Sequence, residues 1–396
     1  MRLMVSLVIS QLFFGSVICQ SVDSELAILH SKSSSIFPIG TFSGGEWSSL
    51  DQVLVDKRIA AIGEFTHGTK EITLVQLDLI KYLHETHGFN VLLTECGIGE
   101  MFAVNQKKKT LNPQEMAQGL MGPWMNKEHA EMMQYVKSSN MQLCGYDVQR
   151  TGNGFSELLI DFLDSIGIES NPFINIEQRY GDAASQLRRG GYEELHPSVN
   201  TLIKDYQNLL DVIPDSKSSE FYKKTIQNRI SYLEYRLKFS KTKDYRADRF
   251  HPRDSLMALN VSWLLNKYPG EKIMLIGHNF HLSKYNEQEE VLGEYLDSRD
   301  VFFIGIFARS GVYANNSRVP ESLTPPDSTQ LDIKDIIQSL PPGVNLIHEI
   351  RSTPLFDRQV IVNDSFVNLS GNNYLVPSKH FDGLILMDVV SPAEYR

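Results

Sequence analysis

The feature that most constrains this chain is a short apolar run that ends on ionisable residues, met three times. Arg58 to Gly63 reads Arg-Ile-Ala-Ala-Ile-Gly and opens onto Glu64-Phe65-Thr66-His67. Phe89 to Thr94 opens onto Glu95, and Lys272 to Gly277 opens onto His278-Asn279-Phe280-His281. Each run is too short for a buried helix and fits a strand. Between the first two, Ile72, Val75, Leu79, Ile80 and Leu83 recur on one helical face from Glu71 to His87, and Gly88 stops the helix. The order strand, loop, helix, strand is that of a parallel β-α-β unit, whose two polar ends fall on one edge of the sheet.

The pattern continues with predicted helices over Pro113–Gly119 and Lys127–Ser138, a strand over Met141–Asp147, a helix over Asp254–Asn266, and further strands over Val301–Phe307 and Phe381–Met387. Between Phe155 and Lys243 the character changes, with Leu, Ile and Tyr at helical spacing among many charges. The expected fold is therefore an α/β protein with an open, mostly parallel sheet, helices on both faces and an inserted helical subdomain. Residues 20–154 and 246–396 form the two parts of the core, and residues 155–245 the insertion, read either as extra core helices or as a lid that sets substrate size.

Residues 1–19 read as a secretory signal peptide: Arg2, an apolar stretch from Leu3 to about Phe14, then small and polar residues with cleavage placed after Cys19. A lipid-modified Cys19 is the rival reading, which Ile18 fits poorly. The mature protein is expected to be secreted or periplasmic, and no other segment approaches the roughly 20 apolar residues of a membrane helix. Lys plus Arg number 38 against 48 Asp plus Glu, for a net charge of −10, so the chain lacks the cationic field that nucleic acid recruits. The run Lys107-Lys108-Lys109 reads as a charged helix C-terminus. Cys96 and Cys144 each follow an apolar run and precede glycine, as two buried thiols or as a bridge.

In open α/β sheets reactive groups collect beyond the carboxyl ends of the strands. Here that rule gathers His67, Glu95, His278 and His281, with Glu64 beside them. A neutral His can take a proton from water as the water attacks a carbonyl. Glu95 could fix the imidazole tautomer or share the water, and His278 or His281 could stabilise an oxyanion or protonate a leaving oxygen. No Gly-x-Ser-x-Gly elbow supports a nucleophilic serine, and Gly97-Ile98-Gly99 lacks the third glycine of a nucleotide loop.

At these residues the chain resembles the erythromycin esterase family. Gly63-Glu64-x-Thr66-His67-Gly68-Thr69-x-Glu71 is similar to that family's hallmark, and Glu95 stands where its second carboxylate would be. Trp124-x-x-x-Glu128, Gly145-Tyr146-Asp147-Val148-Gln149, Arg253-Asp254-x-x-Met257-x-x-Asn260 and His278-Asn279-x-His281 match in order and spacing. The resemblance covers about Lys57 to Leu282, with a weaker echo near Phe381 to Asp388. It implies a hydrolase without metal or other cofactor, acting on a small-molecule ester or lactone, macrolides included. His67 would be its base, assisted by Glu95. Glu64, His278 and His281 would stand around the site, and Glu71, Arg253 and Asn279 would support it or bind substrate. One departure stands out: Gln76 occupies the place of an arginine in the best-studied members. That removes a cation from the predicted pocket and leaves open whether Arg253 supplies the charge.

Two other readings compete. His67, Glu95, His278 and His281 are also ligand types for zinc or iron, which would make a metal-dependent hydrolase or metal-binding protein, although no His-Glu-x-x-His pair supports it. The other is a non-catalytic envelope binding protein, motivated by Gln76.

Overall fold

The computed structural model describes residues 24–36, 44–189, 192–239, 249–326, 329–363 and 374–395. The proposed signal peptide lies outside the described residues. The strands are β1 (Ser33–Ile36), β2 (Ile59–Glu64), β3 (Phe89–Gly97), β4 (Gln142–Asp147), β5 (Lys272–His278), β6 (Val301–Ala314), β7 (Pro320–Ser322), β8 (Val344–Ile347), β9 (Val360–Ile361), β10 (Tyr374–Leu375) and β11 (Gly383–Val390). The helices used below are α1 (Lys70–His87), α2 (Ile98–Lys107), α3 (Pro113–Ala117), α4 (Lys127–Ser138), α5 (Gly154–Ser165), α6 (Ile176–Arg189), α7 (Tyr192–Val212), α8 (Glu220–Phe239) and α9 (Pro252–Lys267).

The main sheet runs β1-β8-β11-β6-β2-β5-β3-β4. Its pairings from β11 to β4 are parallel, while β1 and β8 join antiparallel at one edge. The fold class is thus the one the sequence predicts. The central strands are buried along their length, as their unbroken Ile, Leu, Val and Ala content requires when helices cover both faces. β2 to β3 and β3 to β4 step one way across the sheet, and β4 to β5 and β5 to β6 step back. Because such crossovers are right-handed, α1 and α4 cover one face and α9 the other. His84 Nδ1 and Tyr135 Oη join α1 to α4 at 2.7 Å, and Asn260 of α9 donates to the Tyr146 carbonyl of β4 at 2.9 Å.

Local chemistry sets several boundaries. Asn126 caps α4 by accepting from His129 N at 2.9 Å, and the helix spans the predicted Lys127–Ser138. Gly88 ends α1 with φ of 70°, a conformation that glycine adopts without penalty. α2 ends at Lys107, as the lysine run suggests. β6 runs seven residues past the expected Phe307, because β11 pairs with it through Gly311 and β7 pairs beyond that. Cys96 and Cys144 are both free and buried, and burial raises both thiols, that of Cys144 to about 12.

Candidate active site

The chain leaves β2 toward one side of the sheet and β5 toward the other, so the switch point falls between these neighbours, where an open α/β sheet offers a crevice. Glu64 and His278 are register partners there. Gly277 closes β5 because a Cβ at that position would lie 2.2 Å from Tyr146 Oη and 3.0 Å from Glu95 Oε2. The glycine is the room into which Glu95 fits.

His67 follows β2 on a tight loop, and its Nδ1 lies 2.5 Å from Glu64 Oε1. An ionised carboxylate only accepts, so Nδ1 carries the proton and the lone pair of a neutral ring stands on Nε2. Trp124 Nε1 donates to the same Glu64 oxygen at 2.8 Å. Trp124 and His278 both meet the His67 ring edge-on, at centroid distances of 6.0 and 5.2 Å. Burial works against charging His67, but the nearby Glu64 and then Glu95 outweigh it and raise its pKa. His278 behaves oppositely: burial, and next the proximity of His67, hold it well below the usual histidine range. Its Nδ1 accepts from Phe280 N at 3.3 Å, and the ring also bonds the Phe65 backbone. His278 is therefore a neutral wall against which His67 is oriented.

A second set of charges adjoins the first. Glu95 Oε2 accepts from His278 N at 2.8 Å, and Glu95 Oε1 from Arg253 Nη2 at 2.9 Å. Arg253 also donates to both oxygens of Asp147, at 3.2 and 2.6 Å. His281 places Nδ1 2.8 Å from Asp254 Oδ2 and Nε2 3.3 Å from Glu95 Oε1. Burial opposes its charge, yet Asp254 and Glu95 push His281 up to about 9. Glu95 is itself buried, which would favour its neutral form, but His281 and Arg253 hold it well below the usual carboxylate range. At neutral pH the set comprises the cations His281 and Arg253 against the ionised carboxylates of Glu95 and Asp254. Among the ion-paired side chains of the cluster, His67 is 17% exposed and Arg253 20%, whereas those of Glu64, Glu95, Asp147, Asp254 and His281 are at most 7% exposed.

The structure thus brings together Glu64, His67, Glu95, Arg253, His278 and His281. It gives the contact that fixes the His67 tautomer to Glu64, where the sequence reading offers Glu95. Glu71 points elsewhere: its carboxylate accepts from Ser391 N at 2.6 Å and pairs with the Ser391 hydroxyl. Asn279 lies behind the site, its amide bonded to the Ile306 backbone at 2.9 and 3.3 Å. Gln76 does not face an open pocket, since it is buried and donates to the Gly63 carbonyl at 3.2 Å. Trp124, Asp147 and Asp254 lack a role in the sequence reading. Applied to the fourth strand, Met141–Asp147, the strand-end rule would have found Asp147. Trp124 and Asp254 carry no local signal beyond the motifs in which they stand.

The His67 loop is held from outside. Gly68, at φ of 76°, accepts from Ala314 N at 3.0 Å and from Ala393 N at 2.9 Å. A Cβ there would lie 2.1 Å from the Ala314 carbonyl oxygen, so the position requires glycine. Lys70 N donates to Ser391 O at 2.9 Å, and the Glu394 carboxylate pairs with Lys70 and Lys127.

Among the described residues, no group of three or more His, Cys, Asp and Glu side chains is arranged to hold a metal ion. The ligand-type groups Glu95 and His281 are instead committed to Arg253 and Asp254. No described helix is long and apolar enough to cross a membrane.

An open parallel α/β sheet offers a crevice at its switch point, where the ionisable cluster stands. The sequence pattern of the family Erythromycin esterase matches residues 84–390, beginning inside α1 and so after the His67 motif. The chain is 28% identical over 325 residues to the YbfO protein of Bacillus subtilis, covering 72% of each chain. It is 25% identical over 266 residues to erythromycin esterase type I of Escherichia coli, covering 60% of this chain and 65% of that one. In fold it is similar to a Bacillus cereus protein of known structure, with TM-score 0.76 and 18% identity over 94% of this chain and 99% of that one. An erythromycin esterase variant in an open conformation has TM-score 0.64 and 17% identity, with 91% and 98% covered. The chain belongs to the erythromycin esterase family, and its class is hydrolase.

Proposed function

We propose that this protein hydrolyses an ester or lactone bond of a small molecule with water activated by His67. The observation that carries this reading is the 2.5 Å contact of His67 Nδ1 with buried Glu64, which turns the basic Nε2 away from the carboxylate on a ring that solvent can reach. A water on Nε2 loses its proton to the ring as its oxygen bonds to the substrate carbonyl. Glu64 stabilises the imidazolium that forms, in the way a buried carboxylate supports a catalytic His. Arg253, cationic and partly exposed, suits the developing oxyanion. His281, charged at neutral pH, can return a proton to the leaving oxygen, with Glu95 holding both cations in place. No step is assigned to a metal, because Glu95 and His281 already have strong partners.

The segment 155–245 serves in this reading as an inserted cover that limits substrate size. Its helix α8 sets Tyr232 and Tyr235 close enough to Arg253 and Asp147 for the phenols to feel both charges. Export follows from the sequence of residues 1–19, and macrolides are candidate substrates by family.

The test is hydrolysis of activated esters, simple lactones and macrolides by wild type, His67→Ala and Glu64→Gln, each with and without chelator. Turnover that survives chelator, disappears in His67→Ala and is weakened in Glu64→Gln is expected. Unchanged turnover in His67→Ala would sink the proposed base, and loss to chelator would move the reaction to a metal.

A further inference from the structure

Two helices beside the site begin in the same way. His67 stands three residues before Lys70, the first residue of α1, and Trp124 three residues before Lys127, the first of α4. A glutamate follows each lysine, Glu71 in α1 and Glu128 in α4. The two loops are remote in sequence, yet His67 and Trp124 meet on one atom, Glu64 Oε1, at 2.5 and 2.8 Å.

Residues 391–395, which follow β11, join the two helix starts by a repeated contact. Lys70 N donates to Ser391 O at 2.9 Å, and Ser391 N donates in return to Glu71 Oε2 at 2.6 Å. Lys127 N donates to Glu394 O at 2.9 Å, and Glu394 N donates in return to Glu128 Oε2 at 3.1 Å. The first N–H groups of a helix have no partner inside it, and a carboxylate is favoured in the first turn by the helix dipole. Each helix start therefore offers a donor and an acceptor side by side, and one residue of the segment takes up both. Between the two docked residues, Pro392 bridges Thr69 and Ala393 N donates to Gly68 O at 2.9 Å. Beyond them, Tyr395 Oη donates at 2.8 Å to the carbonyl of Pro123, the neighbour of Trp124. Three residues of chain span at most about 10 Å, a reach that matches the separation of packed helices.

We infer that residues 391–395 are a strap that fixes the starts of α1 and α4 relative to each other, and that Glu71 and Glu128 are positioning residues which keep His67 and Trp124 together on Glu64. With both donors on one oxygen the Glu64 carboxylate is held from turning, Nδ1 of His67 keeps its proton and Nε2 stays free. The effect on turnover rests on the esterase reading, whereas the orientation of His67 does not.

The test is NMR titration of the histidines in wild type, Glu71→Ala, Glu128→Ala, the conservative Glu71→Gln and Glu128→Gln, and Tyr395→Phe. The His67 signal is assigned against His67→Ala, and thermal melts of the same samples report the fold. Contact with Glu64 raises the His67 pKa, so loosening it should lower the midpoint by about half a unit or more in either alanine variant. The glutamines keep an accepting oxygen and should stay close to wild type. Glu95, His281, His278 and His129 also face His67, and none of them is altered. Asn112→Ala, which breaks the capping box of α3 away from the strap, is the control: it should lower the melting temperature and leave His67 unmoved. Should an alanine variant not fold, Tyr395→Phe, which removes only the bond to Pro123, should move His67 in the same direction by a smaller amount. An unchanged His67 midpoint in the folded variants overturns the strap, as does an equal shift in Asn112→Ala. For ester substrates, kcat should fall about 10-fold in each alanine variant with KM within about twofold. If no ester is hydrolysed while the titration follows this pattern, the esterase reading fails and the strap stands.

Discussion

The molecule buries two assemblies of the same ionisable types, and they differ in what they leave open. At the strand ends, Glu64, Glu95, Asp147 and Asp254 surround His67, His281 and Arg253. Under the helices, Arg229 of α8 lies between Glu100 of α2 and Glu177 of α6, at 2.5 and 3.2 Å. Tyr206 of α7 donates to Glu177 at 2.7 Å, and the Tyr180 ring lies 4.7 Å from the guanidinium. The three ion-pair side chains of this second assembly are at most 3% exposed, so it is sealed and ties the helical segment to the helix that leaves β3. The first keeps a basic nitrogen and part of an arginine in contact with solvent. Burial alone does not mark a functional charge; the mark is burial of the partner combined with exposure of the acting group.

That contrast can be broken most sharply at His67. His67→Ala should lower kcat/KM for any ester substrate by ~10²–10⁴ while the melting temperature stays near wild type, measured by hydrolysis and by thermal melts of the same samples. At the sealed assembly the signs reverse. Arg229→Met leaves Glu100 and Glu177 buried without their cation and should cost about 3–5 kcal/mol in urea unfolding; a stability equal to wild type would show that the pair carries no structural weight.

Within the first assembly, His281 should couple stability to pH. Its folded pKa of about 9 exceeds the ordinary value near 6.5, so its contribution is fully present below 6.5 and is lost as pH rises through about 9. Coupling to Arg253 and Glu95 limits the effect to about 1–3 kcal/mol. Melts at pH 6 and 9.5 should show a loss in wild type that His281→Gln lacks, and parallel curves would refute the assignment. Activity should carry the opposite sign. His67 must be neutral to act as base, so kcat/KM rises with pH through its raised pKa, and the midpoint lies above 6.5. In Glu64→Gln burial prevails and the residual acid limb should shift downward. The smallest effect is expected at Glu394, where exposed ion pairs to Lys70 and Lys127 contribute little beyond the backbone bonds that hold the same loop. Glu394→Gln should leave turnover and melting temperature within error of wild type, and a large fall in kcat would reveal that the His67 loop depends on those pairs.

Much of the fold was legible because its signals are local. The apolar period of α1 and the glycines at 63, 88 and 277 each act within a few residues, and they located the elements that carry the site. The Glu64–His67 contact is local too, three residues apart, yet the sequence reading gave its role to Glu95, because spacing alone does not say which carboxylate the imidazole faces. The length of β6 was not legible, since it depends on pairing with β11 some 80 residues later. Nor were the roles of Glu71 and Asn279, whose partners Ser391 and Ile306 are remote in the chain.

By itself the sequence determined which residue types stand beyond which strands, because strand length, period and turn chemistry are short-range properties. Tertiary structure alone decided which carboxylate faces which cation. Glu95 and Arg253 are 158 residues apart, and their meeting depends on strand order and crossover direction. That choice also sets protonation: the same imidazole becomes a neutral wall at His278 and a cation at His281, according to what burial and neighbouring charge bring to it.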